Sequence, residues 1–129
     1  MKSPLPPALG SVFGFDFIFP PKKYPQVHPG LIFGTKMLSD ERCQVLVLPI
    51  SHKDPAIHEP RLLIPLLERS QMGLDYQQQY VYYSRLGKFI LPEASRLINR
   101  LGKAYIGQAS DGFWKEAKNR FLEFRKTGM

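Results

Sequence analysis

Between residues 12 and 19 the chain alternates strictly. Phe13, Phe15, Phe17 and Phe19 fall on one face, and Val12, Gly14, Asp16 and Ile18 on the other. Four phenylalanines in that register predict a half-buried strand, closed by Pro20 and Pro21. Lys22, Lys23, Tyr24 and Pro25 read as an exposed loop. Two apolar β-type runs follow, over residues 27–34 and 45–52, each with a protonatable residue near its end. The pattern predicts a strand over residues 31–36, a polar turn at Ser39, Asp40 and Glu41, and a more buried strand over residues 44–50. His28 precedes a proline, which biases it toward extended backbone. If the two runs pair as a hairpin, His28 and His52 share one rim.

The second half is punctuated differently. Residues 53–60 read as a proline-bounded loop, and residues 61–64 as a candidate short strand. Pro65 suits the first position of a brief helix that runs through Ser70 and closes at Gly73. Residues 79–84 read as a tyrosine-rich strand whose course residues 88–91 continue, and residues 104–107 as a last short strand. The C-terminal segment is helical. Ser110 or Asp111 can cap it, and Phe113, Ala117, Phe121 and Phe124 recur at helical spacing. Trp114 and Leu122 widen that face, while Lys115, Lys118, Arg125 and Lys126 lie mostly off it. The sum is a mainly β (α+β) single domain over residues 1–129. Five or six strands curl into a small sheet or partly open barrel, with helices at its edge.

Composition narrows the class only a little. The 129 residues are 43% hydrophobic and 22% charged, as in a soluble globular domain. The lone Cys43 excludes an intramolecular disulfide and suits a reducing, cytoplasmic setting. No apolar run approaches the ~18 residues that would span a bilayer, and the proline-containing start reads as mature protein rather than leader. Charge says more. Residues 1–80 hold 8 Lys+Arg against 7 Asp+Glu, whereas residues 81–129 hold 10 against 4, giving most of the net +7. A basic C-terminal half points to an anionic partner.

The motifs carry a resemblance. The run Gly10-Ser-Val-Phe-Gly-Phe-Asp-Phe-Ile-Phe19, the basic loop, His28-Pro-Gly-Leu-Ile32 and Val47-Leu-Pro-Ile-Ser51 resemble the MazF/PemK-like toxins of type II toxin–antitoxin pairs. Those proteins open with a Gly-Asp-Ile-Val-like strand ending in Asp-Phe, pass through Arg-Pro-Ala-Leu-Val and reach Pro-Ile-Thr or Pro-Ile-Ser. Leu62-Leu-Ile-Pro65, Met72-Gly-Leu-Asp75, the tyrosine strand into Phe89, and Tyr105-Ile-Gly107 keep the order of elements, so the likeness covers residues 10–125. It implies an SH3-like barrel that forms homodimers, binds an acidic antitoxin and cleaves single-stranded RNA with neither metal nor cofactor. The RNA's own 2′-hydroxyl would attack, leaving a 2′,3′-cyclic phosphate, and the site must supply a base, an acid and cationic or hydrogen-bonding groups.

Carried over by position, His28 stands where the family has arginine, Ser51 where it has Thr or Ser, and Lys88 near its strand-end basic residue. Histidine can move protons near neutral pH but is a poorer permanent cation than arginine. Arg85 stands where an acidic residue is often found. The expected catalytic set is His28, Ser51 and Lys88. Lys22, Lys23, Tyr24, His52 and Arg85 are expected to contact RNA.

Each residue also has a structural reading. His28 can cap exposed backbone, Ser51 can satisfy a turn, and the lysine loop can be a solvated connector. His52 would face away from Ser51 if the strand continued, and Lys88 with Arg85 could mark a solvated strand edge. Tyr80, Tyr82 and Tyr83 read as core or interface residues rather than a stacking platform, and His58 as a loop residue without a role. The three histidines have no ligand-set spacing. A non-catalytic barrel that binds nucleic acid or protein is the alternative function. A barrel toxin that inhibits a protein such as a topoisomerase is a third.

Overall fold

The computed structural model describes residues 5–19, 22–51, 59–75, 77–98 and 102–127. Among these described residues seven strands and two helices follow in the order β1 (Ser11–Phe17), β2 (Gln26–Ser39), β3 (Arg42–Ser51), β4 (Leu62–Leu63), α1 (Leu66–Gln71), β5 (Tyr80–Val81), β6 (Gly87–Leu91), β7 (Tyr105–Gln108) and α2 (Asp111–Thr127). All the strand pairs are antiparallel, in the order β4-β5-β3-β2-β1-β7, with β6 also on β3. The fold is therefore mostly β with a C-terminal helix: a curled, partly open barrel, as the patterning predicts.

The alternation of β1 works as expected up to Phe17. Val12 faces Leu31 across the β1–β2 pair and joins one core cluster; Phe15 faces His28 and joins another. The first cluster fills the side covered by α2, from Val12, Leu31, Leu48, Ile50, Ile64, Met72 and Val81 to Phe113, Trp114, Ala117 and Phe121. The second sits on the other side, with Phe15, Ile32, Cys43, Val45, Val47 and Leu91 buried, flanked by Phe13, Phe17 and Phe89. Phe15 stacks on Phe89 at 4.6 Å between ring centroids, which locks β1 to β6 across that face. Cys43 is fully buried, as its apolar context predicts.

Several boundaries differ from the expectation. The strand predicted over residues 31–36 is much longer, because its N-terminal part pairs with β1 from Gln26 onward while pairing with β3 begins only at Gly30. Pro29 thus lies on the one-sided stretch, where a missing donor costs least. β1 stops at Phe17. Pro65 is the N-cap of α1 rather than its first residue. The tyrosine strand shrinks to two residues and a turn before β6 resumes along β3, so β5 and β6 are one course interrupted by a bulge-like loop. Leu122 is exposed rather than part of the packed face of α2.

At the end of α1 the chain turns through Gly73, with φ of +77°. A Cβ there would lie 1.8 Å from the Ile106 carbonyl oxygen, and one on Gly107 would lie 2.2 Å from the Met72 carbonyl. Only glycine admits this contact, in which the backbone of α1's exit lies directly on β7. The helix therefore bridges the β4–β5 edge and the β7 edge of the sheet.

Candidate functional site

Side chains that can do chemistry gather where β2 begins and β3 ends. Beyond Phe17 the chain leaves the sheet, Ile18 turns outward, and Phe19 folds back. Its ring meets His28 at 4.6 Å, interplanar angle 67°, and Tyr82 at 5.4 Å. The turn carrying Tyr82 is pinned by its amide donating to the Pro49 carbonyl at 3.0 Å, and the Arg85 amide closes it onto the Tyr82 carbonyl. That turn carries the Arg85 guanidinium over the Phe19 ring, 5.3 Å from the centroid.

Glu59 organises the other side. Its carboxylate takes both Arg85 Nε and, at 3.1 Å, Arg85 Nη2, a fork-on-carboxylate pairing of the strong kind. Ser84 Oγ donates to the same carboxylate at 3.4 Å, and Arg61 Nη1 to the Glu59 backbone carbonyl at 3.4 Å. The Arg61 guanidinium in turn lies 5.0 Å from the centroid of Tyr80, whose ring is 6.4 Å from that of Tyr82. Arg85 and Glu59 retain 32% and 17% of their side-chain exposure, so the pair borders solvent rather than lying in the core.

The register puts Ser51 on the same rim. Residues directly opposite in a sheet point to one side; His28 faces Phe15, Ser51 faces Tyr80, and Gly30 faces Pro49. Two residues further along each strand, His28 and Ser51 are turned to that same side. Ser51 is buried, at 7% exposure. The β1–β2 loop lies at this end too. Lys22 donates to Gln26 Oε1 at 2.7 Å and its amide to the Phe19 carbonyl, while Lys23 and Tyr24 are exposed.

Lys88 is not brought to this rim. It faces Leu46, and its neighbours Gly87 and Phe89 face Val47 and Val45 of the Phe15 cluster, so Lys88 points to the opposite side of the sheet. Its row continues to Gly34 on β2, roughly 17–20 Å from His28 at ~3.4 Å per residue. His52 and His58 lie outside the described residues. Among the described residues no group of three or more His, Cys, Asp or Glu comes together in a way that could hold a metal ion, and no helix is long and apolar enough to cross a membrane.

Sequence reasoning missed Glu59, Arg61, Phe19 and Tyr82 as members of the rim. Phe19 was masked by the alternation that assigned it to a strand. The Glu59–Arg85 pair joins residues 26 positions apart and left no local signal. No protein-family model and no curated protein sequence matches the chain.

Proposed function

We propose that this protein is an endoribonuclease of the MazF/PemK toxin kind, cutting single-stranded RNA by attack of the 2′-hydroxyl on the adjacent phosphate. The observation that carries the reading is the convergence of His28, Ser51 and Arg85 on one rim floored by aromatic rings and bordered by the Lys22–Lys23–Tyr24 loop. Imidazole, hydroxyl and guanidinium are the groups this reaction needs. His28 takes the 2′-hydroxyl proton as the oxygen attacks phosphorus, the 5′-oxygen leaves and is protonated by solvent, and a 2′,3′-cyclic phosphate remains. Arg85 meets the charge that grows on the phosphorane oxygens, and Ser51 donates to one of them.

The resemblance gives Lys88 this cationic role; its place on the far side of the sheet favours Arg85 instead. The net charge of +7 suits both RNA and an acidic antitoxin segment. A homodimer working in the cytoplasm completes the proposal.

One observation favours the alternative of a binding module without chemistry: Glu59 already occupies the Arg85 fork. The deciding experiment is incubation of end-labelled single-stranded RNA with purified protein in EDTA, beside His28→Ala. Discrete cuts with cyclic-phosphate ends, lost in the variant, support the enzyme. Tight binding without cuts supports the module, and neither binding nor cutting points to a protein target.

A further inference from the structure

Among the described residues four cations lie over aromatic rings, and they divide into two kinds. Lys115 over Trp114 and Arg125 over Phe121 cover rings that are 7% and 5% exposed, so they roof the core beneath α2. Arg85 over Phe19 and Arg61 over Tyr80 stand on rings that are only partly buried, and both arginines are gripped by one residue, Glu59. The first of these two belongs to the catalytic rim proposed above. The second is unaccounted for. Tyr80 faces Ser51 across the β3–β5 pair, and Leu63 of the edge strand β4 on its other side. It is thus one strand spacing, about 4.8 Å, beyond Ser51, and two beyond the strand that carries His28.

We propose that Arg61 and Tyr80 form a nucleobase-stacking subsite that takes an unpaired base of the RNA beside the cut. The inference rests on the ribonuclease reading and adds to it where the neighbouring nucleotide lies. Single-stranded RNA is held by stacking bases on aromatic rings and on guanidinium planes, and this pair sets one of each 5.0 Å apart. The Glu59 backbone carbonyl accepts one hydrogen bond from Arg61 Nη1 at 3.4 Å, which tethers the guanidinium near the ring. A strand of RNA with its phosphate at His28 and Arg85 would run across β3 toward β4 and bring its next base over Tyr80. The fully buried neighbour Tyr82 packs beside that ring and gives the subsite a rigid wall.

The test uses a fluorescein-labelled, 2′-O-methylated RNA decamer, which cannot be cut, and a set of the same decamers with one abasic residue at each position. Binding is measured by anisotropy for the wild type, Tyr80→Ala, Tyr80→Phe and Arg61→Ala, with folding checked by circular dichroism. Tyr80→Ala is expected to weaken binding about 5- to 150-fold, the range found for loss of one stacked base, with Tyr80→Phe close to wild type. At one position the abasic residue should weaken wild-type binding yet cost nothing further in Tyr80→Ala and Arg61→Ala, the non-additivity of groups in contact. If Tyr80→Ala fails to fold, the Arg61→Ala cycle decides alone. Weakened binding with every abasic effect unchanged overturns the subsite, since it leaves Tyr80 only a structural part. Wild type that cuts RNA while both variants bind normally also overturns the subsite and leaves the ribonuclease reading standing. Wild type that neither binds nor cuts RNA overturns both.

Discussion

Glu59 and Glu68 each engage neighbours with both carboxylate oxygens, and the contrast between them separates scaffold from site. Glu68, on α1, accepts from the Ser110 amide at 2.6 Å and from Ser110 Oγ at 2.8 Å, and that hydroxyl accepts from the Phe113 amide at 3.2 Å. Its partners are the uncharged donors at the start of α2, which it caps from another element. Glu59 takes one hydroxyl, from Ser84, but mainly holds cations. Its carboxylate grips Arg85 and its carbonyl Arg61, and both guanidiniums rest on partly exposed rings beside His28 and Ser51. A carboxylate that satisfies backbone and hydroxyl donors stabilises a joint. One that holds cations over rings at a rim open to solvent keeps positive charge at the surface.

Substitutions can break that contrast, and the strongest falls at the rim. His28→Ala should lower RNA cleavage by about 10²- to 10⁴-fold, the usual weight of a general acid–base group, while the melting temperature stays near wild type; single-turnover rates and thermal melts check both.

Next in size is Glu68→Ala. Loss of two hydrogen bonds to a charged acceptor should cost about 2–3 kcal/mol of stability. That lowers the melting temperature by about 7–11 °C at ~2.1 cal/mol/K per residue. Cleavage per folded molecule should not change, and a matching fall in cleavage would erase the distinction drawn above.

Glu59→Gln should do the reverse: roughly a tenfold loss in kcat/KM, equivalent to about 1.4 kcal/mol, with little change in melting, because the half-exposed Arg85 can still reach water. Faster cleavage in this variant would instead mean that Glu59 competes with phosphate for the arginine. The smallest effect belongs to Lys88→Ala, which should alter cleavage by no more than about twofold, as for an ordinary surface change. A loss as large as that of His28→Ala would return Lys88 to the chemistry despite its face.

The strands and the terminal helix were readable because their signals are periodic and local. Phe13, Phe15 and Phe17 do share the side of the second core cluster, and Ser110 does cap α2 through its hydroxyl. The pairing of the two apolar runs follows from a short polar turn, and it sets His28 and Ser51 on one side. Phe19 was not readable, since alternation says where a side chain would point in a strand but not where the strand stops. Arg61 and Glu59 depend on pairings between β3, β5 and β4 that no neighbouring residue encodes. Lys88 is an intermediate case. The alternation of Gly87, Lys88 and Phe89 carries its orientation, but that orientation has meaning only once Phe89 is known to stack on Phe15.

The bare backbone contact of Gly73 and Gly107 has a consequence for how the molecule opens. Through it, and through Glu68 on Ser110, α1 splices the two outer edges of the barrel to each other and to α2. Amide protons along α1's exit, β7 and the first turn of α2 should then exchange with solvent as one cooperative unit, in a single opening event rather than three.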